Sequence, residues 1–280
     1  MFKKAERKQA KLRLGIDGPS GSGKTYGALL IAKGMGGKVA VIDTEEGSAS
    51  LYSDLCEFDV AELRPPFEPE RYVKLIKGAE QAGYDTIIID SGSHEWMGSG
   101  GILEIHDAMP GNSYTNWSKV NPRHEAFVQA ILRSPCHIIC TLRSKQKHEL
   151  VETNGKKEVK KLGMGAQQRE GVEYELTTVL SMNAGKANGT KDRTGLFQQD
   201  HWFTITEDTG RTIAGWLNSG KEVLPEPINV DGLRAAVKQW GMEQLDAKWT
   251  SPDFAARYAV SDKAAVDAIY QQRKQELEAA

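Results

Sequence analysis

Gly18-Pro19-Ser20-Gly21-Ser22-Gly23-Lys24-Thr25 sets a lysine and a hydroxyl directly after a glycine-rich run. That order suits the holding of phosphate. Glycines at 18, 21 and 23 allow backbone conformations that side chains block. Successive N–H groups can then turn inward around phosphate oxygens. A helix starting near Thr25 adds its partial positive charge at the same point. Lys24 would reach the β- and γ-phosphates of a nucleoside triphosphate, and the Thr25 hydroxyl would ligate Mg²⁺. The run matches the pattern G-x-x-x-x-G-K-[ST] in full, so ATP and Mg²⁺ are the expected ligands.

Two carboxylates supply the rest of a hydrolytic site. Asp90 ends the apolar run Thr86-Ile87-Ile88-Ile89, and a carboxylate after a buried strand can hold Mg²⁺ through water. Glu45 lies in Asp43-Thr44-Glu45-Glu46-Gly47, just after a second apolar run, Val39 to Ile42. From there it could orient and polarise a water in line with the γ-phosphate. The competing reading makes Glu45 and Glu46 acids of a surface loop. Asp90 is followed by Ser91, not Glu. The base must therefore come from elsewhere, which directs attention to Glu45. Lys24, Glu45 and Asp90 form the expected catalytic set.

These residues need a sheet to position them. Leu12 to Asp17, Val39 to Asp43, Thr86 to Asp90 and His137 to Leu142 read as short buried strands. Thr25 to Lys33, Glu70 to Ala82 and Arg123 to Leu132 read as helices between them. Alternation of this kind gives a mostly parallel α/β sheet, and ligands of such sheets bind at the carboxyl ends of the strands. Asp17, Asp43, Asp90 and Thr141 all stand at such ends. Beyond residue 145, His148 to Thr153, Asn154-Gly155 and Lys156 to Leu162 read as a β-hairpin. Val172 to Met182, Arg193 to Phe197 and His201 to Thr206 read as further, largely antiparallel strands. Asn188-Gly189 and Thr209-Gly210 read as turns. Ser251-Pro252 starts one late helix, and Ser261 can cap another, from Asp262 to about Glu278. The expected organisation is a basic arm at 1–11, an ATPase core at 12–218, a linker at 219–229 and a small helical C-terminal region at 230–280.

Val41-Ile42-Asp43-Thr44-Glu45-Glu46-Gly47, together with Ile88-Ile89-Asp90-Ser91, resembles the core of the RecA/RadA-type recombinases. More closely, the chain resembles the short phage recombination ATPases of the Sak single-strand-annealing type, which share the look of phage nucleotide-binding AAA-type proteins. The resemblance spans roughly residues 12–217. It implies a RecA-like P-loop core, with Lys24, Thr25, Asp90 and Glu45 in their family roles. It also implies a homo-oligomer acting on single-stranded DNA, alongside a single-strand-binding or other recombination protein. Arg143 falls near the family's γ-phosphate sensor, a position usually held by Gln. Lys191 or Arg193 would be a finger reaching the neighbouring subunit's ATP; otherwise they are solvated charges of an exposed turn.

The net charge of −2 exerts no global pull on nucleic acid, so any such contact must be local. Two segments correspond to the family's DNA loops. Gly92 to Asn121 holds Gly98, Gly100 and Gly101 for mobility, and Tyr114 and Trp117 either stack on bases or pack in the core. Ser144 to Gly171 holds Lys145, Lys147, Lys156, Lys157, Lys160 and Lys161, the candidate DNA contacts. His94 either couples the γ-phosphate to the first loop or is a structural histidine. An ATPase with a protein partner and a small-molecule kinase are the alternatives, and the Asp-Thr-Glu segment, suited to activating water, argues against the kinase. Of Cys56, Cys136 and Cys140, the last two share the run Cys136-His137-Ile138-Ile139-Cys140 and are expected to be buried thiols rather than metal ligands. No apolar run approaches the roughly 20 residues needed to cross a bilayer. With no secretory signal in Met1 to Arg13, a cytoplasmic location is expected, within a bacterial host if the phage resemblance holds.

Overall fold

The computed structural model describes residues 4–153, 156–169, 171–222 and 226–279, without the side chains of 146–164 and of Pro252. Asn154-Gly155, the expected hairpin turn, lies outside the described residues. The chain divides into two compact units, Gln9–Gly220 and a second that gathers the N-terminal residues up to Lys8 with the chain from Lys221 onward.

The larger unit begins with β1 (Arg13–Gly18), α1 (Lys24–Met35), β2 (Val39–Asp43), a 3-10 turn (Ser48–Tyr52) and β3 (Asp59–Glu62). It continues with α2 (Pro69–Gln81), β4 (Thr86–Asp90), α3 (Ser93–Met97), α4 (Ile102–Asp107) and α5 (Ser113–Arg133). Then come β5 (His137–Thr153), β6 (Lys156–Ala166), α6 (Val172–Glu175), β7 (Thr178–Asn183), β8 (Lys186–Asp192) and α7 (Glu207–Asn218). The strands form one 8-stranded sheet in the order β3-β2-β4-β5-β1-β7-β8, with β6 paired to β5. Only β6 and β8 run antiparallel to their neighbours. The expected class, a P-loop-type α/β core with a mostly parallel sheet, is the class observed.

Alternation along the strands builds two cores. Leu14, Ile16, Val41, Ile88 and Ile139 pack on one face with α1 and α7. Ile42, Ile87, Ile89, Ile138 and Leu142 pack on the other with α2 and α5. Successive strand residues point to opposite faces, so the run of isoleucines in β4 serves both layers. The contact of α1 with α7 depends on two glycines. A Cβ on Gly34 would lie 2.0 Å from the Glu207 carbonyl oxygen, and one on Gly210 would lie 2.2 Å from that of Ile31. Thr209-Gly210 is therefore not a turn but the first part of α7, whose entry is closed by a Thr206–Thr209 capping box.

Other expectations beyond β5 change as well. The expected hairpin pairing forms, with His148 to Thr153 antiparallel to Lys156 to Lys161, but its first strand is the continuation of β5, which runs unbroken from His137 to Thr153. β7 starts only at Thr178 and runs parallel to β1, because Val172–Glu175 is a helical turn. The turn before β8 is Ala184-Gly185, where both residues have positive φ (47° and 77°). Asn188-Gly189 instead lies inside β8, at a register shift against Val179 and Leu180. Arg193 to Phe197 is no strand. The Asp192 carboxylate accepts from the Thr194 and Phe197 backbone N–H groups and the Thr194 hydroxyl, and this curls the segment. Of His201 to Thr206 only Phe203 bridges a strand residue, Ala187.

In the second unit α8 (Val230–Val237), α9 (Met242–Trp249), α10 (Pro252–Ala259) and α11 (Lys263–Glu278) enclose Leu233, Val237, Leu245, Val266 and Ile269. Ser251 caps α10 as expected. The cap of α11 is Asp262, one residue later than expected, because the Ser261 hydroxyl is taken by the Ile228 N–H and the Arg257 carbonyl. Residues 4–11 of the N-terminal arm form no helix; Lys8 forms a bridge with Lys221. Among the described residues, no helix is long and apolar enough to cross a membrane.

Candidate functional site

Strand register brings the expected residues to one edge of the sheet. Asp43 pairs with Glu62 and Asp90, Ile89 with Cys140, and Gly18 with Arg143. The loop after Gly18 and the N-terminus of α1 close over this edge. Gly23 caps α1 with φ 93°, a left-handed conformation that costs a non-glycine residue. Gly18 answers to space instead, since a Cβ there would meet the Ser22 hydroxyl at 2.5 Å and the Met182 carbonyl at 2.6 Å.

The Lys24 ammonium donates to the Gly18 and Pro19 carbonyls at 3.0 and 2.9 Å, tied back across its own loop. Burial lowers its pKa, against the pull of Asp90 and Glu45. The Thr25 hydroxyl donates to Asp90 Oδ2 at 2.5 Å, and Thr141 donates to Oδ1. Asp90 is 2% exposed. Burial pushes its carboxyl up, and Glu45 and Asp43 push the same way, against the two hydroxyl donors.

Glu45 is set by the carboxylate two residues before it. Asp43 accepts from the Glu45 N–H at 2.6 Å and the Ala49 N–H at 3.0 Å, so it folds the chain after β2 into a fixed loop. Thr44 fastens that loop to β4: its N–H donates to the Asp90 carbonyl at 2.7 Å, and its hydroxyl accepts from the Ser91 N–H at 2.8 Å. The same hydroxyl lies 2.8 Å from His94 Nδ1, and the His94 ring stacks on Phe67 at 4.9 Å. Burial lowers the His94 pKa, as does Arg143 nearby. The Glu45 carboxylate meets the Arg143 guanidinium in a two-pronged ion pair, with Nε 2.8 Å from Oε1 and a second contact to Oε2. Burial raises the Glu45 carboxyl, but the hydrogen bonds and charge of Arg143 outweigh it and hold the group below the usual carboxylate range.

The donor set fits a hard cation and a polyphosphate. Thr25 and Asp90 offer oxygen ligands only, as Mg²⁺ prefers. The Ser22 hydroxyl is buried in the phosphate loop without a partner. Among the described residues no group of three or more His, Cys, Asp or Glu could hold a metal by itself. Cys136 and Cys140 are buried thiols, and Cys56 is half-buried.

The remaining expected residues lie outside this cluster. The Lys191 ammonium donates to the Glu173 and Tyr174 carbonyls, and Arg193 donates to the Tyr174 carbonyl at 3.0 Å, so both clamp the end of α6. Gly92 to Asn121 is no loose loop but α3, α4 and the start of α5. Its glycines serve close packing: a Cβ on Gly98 would meet Phe67 at 2.6 Å. Trp117 stacks on His106 at 4.1 Å, whereas Tyr114 is 87% exposed. Lys145 is exposed on β5. The side chains of Lys147, Lys156, Lys157, Lys160 and Lys161 lie outside those described; in backbone register Lys157 pairs with Glu152 and Lys160 with Glu149.

Some residues around the site are not singled out from sequence. Tyr26, next to Thr25, meets Tyr52 edge-on at 5.7 Å, and both rings keep exposed faces beside the phosphate loop. Glu95 and His124 form a buried pair at 3.1 Å, which Gln168 joins while also donating to the Gly92 carbonyl at 3.0 Å. Ser144 and Ser181 donate to Asp17 at 3.1 and 2.8 Å. Of these only Tyr26 offers a cue, as an aromatic directly after the glycine-rich motif.

Comparison with known families places this geometry. The model of the AAA domain family matches residues 10–205. No curated protein matches the sequence. The family match spans most of the 280 residues, and the chain belongs to the AAA domain family, with the P-loop ATPase-type fold that its sheet and phosphate loop describe.

Proposed function

We propose that the protein is a Mg²⁺-dependent ATPase of the phage recombination type, working as an oligomer on single-stranded DNA. The observation that carries the ATPase reading is the Thr25–Asp90 contact of 2.5 Å, which joins the first turn of α1 to the end of β4 beside Lys24. In this reading the loop N–H groups and the N-terminus of α1 hold the phosphates. Lys24 leaves its loop carbonyls for the β- and γ-phosphates. Thr25 and Asp90 hold Mg²⁺, which when bound neutralises charge on the phosphate oxygens. Glu45 orients a water and takes its proton as the water oxygen bonds to the γ-phosphorus and the bond to the bridging oxygen breaks. Tyr26 and Tyr52 offer a wall for the base.

The DNA reading is supported by the β5–β6 ribbon, which continues past the last residue paired with β1, Arg143, and carries the lysines named above. Its root is joined to the ATP site: Ser144 to Asp17, Gln168 to Gly92 and Glu95, and the Arg143 N–H to Ser93 at 2.9 Å. A ligand on the ribbon would thus be sensed at the strand ends. A protein partner is the second reading, favoured by the acid-against-base register of Glu149 with Lys160 and Glu152 with Lys157, which weakens the ribbon's positive field. ATP turnover measured with and without single-stranded DNA, over a salt series, decides between them. Stimulation that fades with salt supports DNA; turnover indifferent to DNA, without salt-sensitive binding, removes it.

A further inference from the structure

The Arg143–Glu45 pair does more than tether two strand ends. The residues stand 98 positions apart in sequence, yet both Glu45 oxygens face one guanidinium. Arg143 is anchored from behind, by its N–H to the Ser93 hydroxyl at 2.9 Å, and its register partner Gly18 opens the phosphate loop. The Arg143 side chain remains 42% exposed, against 23% for Glu45. A cavity of about 710 Å³, lined by Glu46, Arg64, Phe67 and His94 among others, borders the pair and leaves room for movement. A guanidinium presents its planar fork to one anion at a time, and phosphate suits that fork as well as carboxylate does.

We infer that Arg143 is a latch on Glu45, opened when a γ-phosphate draws the guanidinium to itself. The inference rests on the Mg-ATP reading of the site. With the latch closed, both Glu45 oxygens are engaged and the carboxylate is a weak base. With the guanidinium on the terminal phosphate, which carries more charge than a carboxylate, Glu45 is free to accept a proton from water. ADP offers no such group and leaves the latch closed. The base is thereby armed only when there is a bond to cut.

Competition of this kind has a thermodynamic signature. The test is equilibrium binding of a slowly hydrolysed Mg-ATP analogue and of Mg-ADP to the parent chain, Glu45→Gln, Arg143→Gln and the double variant. Removing the competing carboxylate in Glu45→Gln tightens the analogue about tenfold and leaves ADP unchanged. Arg143→Gln weakens the analogue alone. In the Arg143→Gln background, Glu45→Gln adds nothing. Plain repulsion between Glu45 and the γ-phosphate would also make Glu45→Gln bind tighter, but that gain would persist without Arg143. Persistence, or no gain in the single variant, overturns the latch. If Arg143→Gln fails to fold, Arg143→Lys, which keeps the charge and loses the fork, takes its place in the cycle. A parent chain that binds neither nucleotide overturns the nucleotide reading itself, a result distinct from any of these.

Discussion

Replacing Asp90 by Asn should make the protein more stable and less able to work. The carboxylate is 2% exposed, accepts from Thr25 and Thr141, and faces the like charges of Asp43 and Glu45. Burying one ion costs several kcal/mol. Against this stand two charge-assisted hydrogen bonds, each about 1 kcal/mol better than its neutral counterpart. Asn keeps both contacts, because either threonine hydroxyl can turn to accept from the amide. The balance favours Asn by about 1–2 kcal/mol, a rise of roughly 2–8 °C in Tm for a domain of this size. The sign of the pH dependence follows. The Asp90 pKa is raised in the folded state, so the native protein holds its proton above the unfolded value of 3.8. Parent stability therefore falls as pH rises from 3.8 through the raised pKa. The advantage of Asn should grow as pH rises and shrink as pH falls toward 3.8. Saturating Mg-ATP should reverse the order, since ligand at about 100 Kd adds roughly 2.7 kcal/mol to the parent and little to the variant. Thermal melts over pH, with and without Mg-ATP, supply the test. A ligand-free Asp90→Asn that melts below the parent at pH 7 would refute this reasoning, by showing that the carboxylate is there for structure.

Two glycines of α7 should respond to Ala with opposite signs. Gly210→Ala puts a Cβ 2.2 Å from the Ile31 carbonyl and should lower stability by about 1–3 kcal/mol. Gly215→Ala meets nothing within 4 Å and should raise it by about 0.5–1 kcal/mol; chemical denaturation of both reads the contrast. His137 gives the acid limb of stability. Its Nδ1 accepts from the Leu12 N–H at 3.0 Å, and burial, with Lys11 and Arg13, lowers its pKa to about 4. The native state therefore loses stability as pH falls from about 6.5 to about 4, by roughly 2 kcal/mol once partial solvent screening is allowed for. His137→Asn, whose oxygen can accept the same bond, should flatten that limb. Thr141→Val leaves Asp90 Oδ1 without its donor and should cost about 1–3 kcal/mol, with weaker Mg²⁺ dependence of ATP binding.

The chemistry was legible where it is local. A glycine-rich run with Lys24 and Thr25, and apolar runs ending in Asp43 and Asp90, carry their own spacing, and the parallel sheet follows from them. What the sequence hid is tertiary. Arg143 and Glu45 meet only because β5 lies between β1 and β4, an order that no local pattern specifies. Gly98 and Gly210 resembled mobile or turning residues but serve close packing, which depends on what lies opposite. Asn188-Gly189 resembled a turn because that dipeptide favours one, yet Ala184-Gly185 makes the bend and Gly189 sits at the shift in register. The carbonyls at the end of α6 that accept from Lys191 and Arg193 are likewise a tertiary contact that no local pattern announces.

The account turns on Glu45 as the group that takes the proton from water at a Mg-ATP site built by Lys24, Thr25 and Asp90. Single-turnover hydrolysis of bound Mg-ATP by the parent and by Glu45→Gln tests it most directly. The account predicts that the variant retains Mg-ATP while its hydrolysis falls by about 10²–10⁴-fold. Parental hydrolysis rates in Glu45→Gln, at equal occupancy, would contradict it and move the base to another residue.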